Sequence, residues 1–139
     1  MIGLLIITHE TLGAAYKQLA QHFFANQNLE HIHILNVETT DDHEDIISRA
    51  QAILPDINRS NGVLILTDIF GATPCNAAMK MVSPQSAMIS GLNAPMLIKA
   101  VNYSTQSSQL GDFVELVKQA GINGITVSYT HLRAHEDAT

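Results

Sequence analysis

A histidine, an aspartate and a threonine carry the chemistry open to this sequence. His9 follows the apolar run Gly3-Leu4-Leu5-Ile6-Ile7 and the polar Thr8, and Asp68 follows a second run, Gly62-Val63-Leu64-Ile65-Leu66, and Thr67. Apolar runs of this length, flanked by glycine and polar residues, are the pattern of strands buried on both faces, as in parallel sheets. If the two strands lie side by side and parallel, an imidazole and a carboxylate meet at one sheet edge. Thr73 belongs to the segment Leu66-Thr67-Asp68-Ile69-Phe70-Gly71-Ala72-Thr73-Pro74-Cys75-Asn76-Ala77-Ala78. There a strand ends, a glycine-bearing turn follows and a helix starts, with unpaired N–H groups that favour an anion. Gly71 lets the backbone approach closely, Ala72 keeps the turn small, and the Thr73 hydroxyl can cap the helix or donate to a phosphate oxygen. A nucleophilic imidazole, a carboxylate to orient it and a nest of donors are the parts needed for phosphoryl transfer to nitrogen.

Those residues must be held by elements that alternate along the chain. After Thr11, which the sequence offers as an N-cap, apolar Leu12, Tyr16, Leu19, Ala20 and Phe23 follow one helix face. Residues 31–37 read as a strand. Ile46, Ile47, Ala50, Ile53 and Leu54 mark a second helix that must stop near Pro55. The next strand is 63–67, and a third helix follows with Thr73 as cap and Pro74 at its first position. A strand over 87–90, a helix through Leu97 and Val101, a helix over 109–120 ended by Gly121, and a strand over 125–127 complete the pattern. Alternation of this kind means right-handed crossovers and an α/β, doubly wound, mainly parallel sheet. In the flavodoxin-like order 2-1-3-4, the first and third strands are neighbours whose crossovers leave to opposite faces. A crevice then opens between their carboxyl ends, and His9 and Asp68 fall on it.

Composition narrows the alternatives. With 139 residues, of which 46% are hydrophobic, the chain fits one domain with a substantial core and no second one. A net charge of -6 and the lack of a basic stripe argue against nucleic acid. The opening Met1-Ile2-Gly3 run is too short, and lacks the basic start, for a signal peptide or membrane span. A cytoplasmic protein without direct membrane insertion is expected. The single cysteine, Cys75, makes no internal disulfide and agrees with a reducing compartment.

Three segments together resemble a known family. Ile6-Ile7-Thr8-His9, Thr67 to Ala78, and Ser90-Gly91-Leu92-Asn93-Ala94-Pro95-Met96-Leu97 look like the mannose-family IIA component of the phosphoenolpyruvate-dependent sugar phosphotransferase system. The resemblance covers residues 1 to about 127, and it is the order and spacing of three motifs that make it specific. It implies that His9 is the phosphorylated histidine, Asp68 its hydrogen-bonded partner, and Thr73, with Gly71 and Ala72, the holder of the phosphoryl group. It further implies HPr as donor, a IIB component as acceptor, no cofactor or metal, and a homodimer that exchanges its last strand, here 124–128. Family members more often have Gly-Ser-Pro-Phe where this chain has Ala72-Thr73-Pro74-Cys75; threonine keeps the hydroxyl and alanine stays small. Residues 129–139 have no counterpart and look like non-native sequence following a domain of residues 1–128.

Each of these residues also has a plainer reading. His9 alone would be a solvated loop histidine, Asp68 a turn former, and Thr73-Pro74 an ordinary helix start. Phe70 either packs inward or rims a docking surface. His31 and His33 share a strand face, and His131 and His135 a possible helix face, but no third metal ligand is placed by spacing. His43, among Asp41, Asp42, Glu44 and Asp45, suits a helix start, and Cys75 a small filler in a first turn. Against the sugar phosphocarrier stand the phosphoryl donor subunit of a dihydroxyacetone kinase and a regulatory module that reports its phosphorylation state without transport. No Gly-x-Ser-x-Gly elbow is present to suggest a serine hydrolase.

Overall fold

The computed structural model describes residues 1–57 and 61–130. Four strands and five α-helices alternate in the order β1 (Gly3–His9), α1 (Leu12–Phe23), β2 (Ile32–Val37), α2 (His43–Ile53), β3 (Val63–Thr67), α3 (Thr73–Met79), β4 (Ser86–Ser90), α4 (Ala94–Ser104) and α5 (Leu110–Asn123). A single 3-10 turn, Leu54–Asp56, follows α2, with Pro55 preventing a further helical turn. The strands form one parallel sheet in the order β2-β1-β3-β4, so the expected 2-1-3-4 arrangement is what the chain adopts.

Two cores flank the sheet. Alternate side chains of β1 and β3 point to opposite faces. Leu4, Ile6, Leu64 and Leu66 pack with Ala20 of α1, Leu97 and Ala100 of α4, and Phe113 and Val117 of α5. Leu5, Ile7, Val63 and Ile65 pack with Ile46 and Ala50 of α2 and Ala77 and Ala78 of α3. The helix after β1 and the helix after β3 therefore lie on opposite faces. The switch between faces falls between β1 and β3, whose register pairs Ile7 with Thr67 and leaves His9 and Asp68 at the carboxyl edge.

Three local expectations need correction. Thr11 is the N-cap of α1, as expected, and its carbonyl accepts from the Ala15 N–H at 3.0 Å, but with φ of 71° its side chain makes no cap bond. The Glu10 N–H still bonds to the Val37 carbonyl at 2.8 Å, so only Thr11 remains to reverse the chain, and that reversal takes left-handed backbone. Helix α5 runs through Gly121 to Asn123. A Cβ on Gly121 would lie 2.7 Å from Met96 Cε, so the glycine serves close α4–α5 packing and not a helix stop. Residues 125–129 form no strand, and Ile125 and Val127 are 74% and 81% exposed. An edge strand needs a neighbour to pair with, and these residues have none among the described residues.

Candidate functional site

The strand ends deliver the pair. His9 Nδ1 lies 2.7 Å from Asp68 Oδ2, and the His9 backbone N–H donates to the same oxygen at 3.1 Å. The other carboxylate oxygen, Oδ1, accepts from the Ile69 N–H at 3.0 Å. The imidazole is 45% exposed and the carboxylate only 6%. Burial by itself would push the Asp68 carboxyl up, but the hydrogen bonds from the His9 ring and backbone, together with the attraction of the His9 ring whenever it is protonated, outweigh it and hold the group below its ordinary value. An ionised carboxylate only accepts, so Nδ1 carries the proton in this contact. The Nε2 lone pair is then free on a half-exposed ring.

The turn after Asp68 is shaped for close approach. Gly71 has φ of +85°, a conformation glycine adopts without steric cost. Its carbonyl accepts from Asn76 Nδ2 at 3.0 Å, which ties the turn to the helix it precedes. Helix α3 begins one residue earlier than expected: Ala72 is the N-cap, without a side-chain cap bond, Thr73 is the first helical residue, and Pro74 follows. The Thr73 hydroxyl therefore does not cap the helix. Pro74 contributes no N–H, and the Ala72 N–H already reaches the Ile69 carbonyl at 3.3 Å, so Gly71 and Thr73 are the better-placed backbone donors.

Sequence reasoning missed the polar role of Tyr16. Read as one residue of an apolar helix face, it packs its ring on the core beneath α1 while its hydroxyl donates to the Leu92 carbonyl at 3.3 Å. Burial, and then the negative charge of Asp68, raise the Tyr16 pKa. The buried hydroxyls of Thr8 and Thr67, each one residue before a member of the pair, have no hydrogen-bond partner among the described residues.

Other residues singled out in the sequence lie elsewhere. His31 Nε2 is 2.7 Å from the buried Ser104 hydroxyl; burial first, and His33 second, lower its pKa. Among the described residues no group of three His, Cys, Asp or Glu could hold a metal ion, and His131 and His135 lie outside those residues. His43 opens α2 behind a capping box formed by Asp42 and Asp45. Cys75 is fully buried, and Phe70, two residues after Asp68 in the turn, is 74% exposed. No helix among the described residues is long and apolar enough to cross a membrane.

Over residues 3–118 the chain matches the model of EIIA-man, described as the PTS system fructose IIA component. It is 25% identical over 126 residues to the PTS system mannose-specific EIIAB component of Escherichia coli, an alignment covering 89% of this chain and 38% of that protein's length. The PTS system fructose-specific EIIA component of Bacillus subtilis is 25% identical over 134 residues, covering 95% of this chain and 90% of the relative. In structure, the mannose/sorbose specific IIA subunit of the phosphotransferase system from Enterococcus faecalis superposes with a TM-score of 0.79 at 23% identity, covering 95% of this chain and 98% of that one. A likeness at that identity speaks to the shared fold.

Proposed function

The chain belongs to the EIIA-man family, a group of IIA components of the sugar phosphotransferase system, and from that premise we propose that it is a cytoplasmic phosphoryl carrier whose acceptor atom is Nε2 of His9. The observation that carries this reading is the 2.7 Å contact between Nδ1 and Asp68 Oδ2, because it fixes the tautomer that leaves Nε2 nucleophilic. The Nε2 lone pair attacks the phosphorus of a phosphohistidine on the donor, HPr. The donor's P–N bond breaks, and its electron pair returns to the donor ring. No proton leaves His9 in this step. The ring gains positive character as the new P–N bond forms, and the Asp68 carboxylate stabilises it. Thr73 Oγ1 and the backbone N–H groups of Gly71 and Thr73 take the phosphoryl oxygens, while Ala72, whose N–H is bonded to the Ile69 carbonyl, contributes least. The reverse geometry passes the group to a IIB component.

The functional unit in this reading is residues 1–128, with 129–139 taking no part. Two copies pair by laying residues 124–128 of one against β4 of the other. Support comes from β4, which among the described residues pairs with β3 and otherwise makes only the Ser83–Ser86 bridge, and from the exposed Ile125 and Val127. Incubation with phosphoenolpyruvate, enzyme I and HPr should place one acid-labile phosphoryl group on each chain, and His9→Ala should take none. Stable labelling of that variant at another residue, such as Cys75, would overturn the assignment.

A further inference from the structure

The loop between β4 and α4 is fastened at two points beside Asp68. Gly91 turns the chain with φ of +87°, and the Leu92 N–H then donates to the carbonyl of Thr67, the residue directly before Asp68. The Leu92 carbonyl accepts from the Tyr16 hydroxyl. Tyr16 comes from the helix that follows His9, so one hydrogen bond links the element after the histidine to the turn that borders the aspartate. The Asp68 side chain is almost wholly screened from water although it stands at a sheet edge. Screening strengthens a hydrogen bond to a carboxylate, because the competing water is gone.

We infer that Tyr16 is a positioning residue for the His9–Asp68 pair: its bond to Leu92 holds the Gly91–Leu92 turn against the end of β3 and keeps water from Asp68. The inference rests on the phosphocarrier reading for its consequence, since a dry, fixed carboxylate is what holds the proton on Nδ1 and the lone pair on Nε2. Tyr16 touches no phosphoryl group in this scheme and acts only through the turn and the carboxylate.

Tyr16→Phe keeps the ring in the core and deletes the hydroxyl. In the 15N-labelled chain of residues 1–139, with the His9 ring signals assigned by comparison with His9→Ala, the ratio of Nδ1–H to Nε2–H tautomer should fall roughly two- to tenfold, the worth of one ordinary hydrogen bond. Phosphoryl transfer from phosphorylated HPr should slow by a similar factor. Gly91→Ala strains the same turn from its other end and should move the tautomer ratio in the same direction; it decides the matter if Tyr16→Phe does not fold. A tautomer ratio unchanged in the folded variants, whether or not stability falls, overturns the inference and leaves Tyr16 a packing residue. The ratio is read without phosphate, so a wild-type chain that took no phosphate on His9 would refute the carrier reading separately.

Discussion

The two nitrogens of the His9 ring meet different surroundings, one held by a buried carboxylate and the other left to solvent. Asp68→Asn keeps the shape but removes the charge, and its amide can offer the ring either a donor or an acceptor. By analogy with other orienting carboxylates, transfer should slow on the order of 10²–10⁴-fold. Thr73→Ala removes one donor and leaves the backbone in place, so roughly 10–10²-fold is the expected ceiling. Rapid-quench transfer rates from phosphorylated HPr would rank the two; equal or reversed losses would mean that holding the phosphate limits the reaction. Asp68 also has a pH signature. Its folded pKa lies below the ordinary 3.8, so the stability it contributes is fully present above that value and is lost as pH falls through the folded value. Denaturation midpoints of wild type and Asp68→Asn should therefore converge in acid. Thr8→Val and Thr67→Val replace buried hydroxyls without partners by methyl groups and should each stabilise the chain by about 1 kcal/mol in urea unfolding. The pairing of His9 with Asp68 was legible because strand ends are legible, and buried parallel strands bring their ends together. Tyr16 was not, because a tyrosine at helix spacing gives the signal of an apolar residue whether or not its hydroxyl is in use.

At the scale of elements, β3 was readable to the residue and β4 to within one, because continuous apolar runs bounded by polar residues have few other solutions. Helix ends were harder, since they depend on what the helix touches. Thr11 has the composition of a cap but is spent on a reversal forced by the length of β1. Gly121 has the composition of a stop but sits where α4 and α5 come close, and its carbonyl accepts from Asn93 Nδ2 at 3.0 Å. Gly13, in the first turn of α1, follows the same logic: a Cβ there would lie 2.6 Å from Ile34 Cγ2 and 3.0 Å from Thr8 Oγ1. Alanine would gain about 1 kcal/mol of helix propensity. It would also push apart a β-branched side chain and a buried strand residue, at about 1–3 kcal/mol. Gly13→Ala should therefore destabilise, contrary to its effect in an exposed helix; a raised urea midpoint would mean that α1 can lift away from β2 without loss.

At the scale of the whole molecule, β4 is an outer strand of the sheet. Among the described residues β2 is the other outer strand, and β4 makes only a local bridge from Ser86 to Ser83 besides its pairing with β3 and is partly buried along its whole length. A chain cut after residue 128 should be a dimer by light scattering at micromolar concentration, and Ile125→Asp with Val127→Asp should make it a monomer. A monomeric parent would count against strand exchange. The sequence alone could mark 125–127 as strand-like, but pairing across two chains leaves no trace in the pattern of one. The strand order has a further consequence during synthesis. Because β1 is central and made first, the sheet can grow outward on both sides of a template already off the ribosome: β2 on one flank, β3 on the other, β4 on β3. His9 is translated 59 residues before the aspartate that orients it. At bacterial and eukaryotic elongation rates of about 5–20 residues per second, that is a delay of roughly 3–12 s. During that interval the nascent chain carries an imidazole without its carboxylate partner, so the phosphoryl-transfer competence proposed for the pair would arrive only with the second crossover.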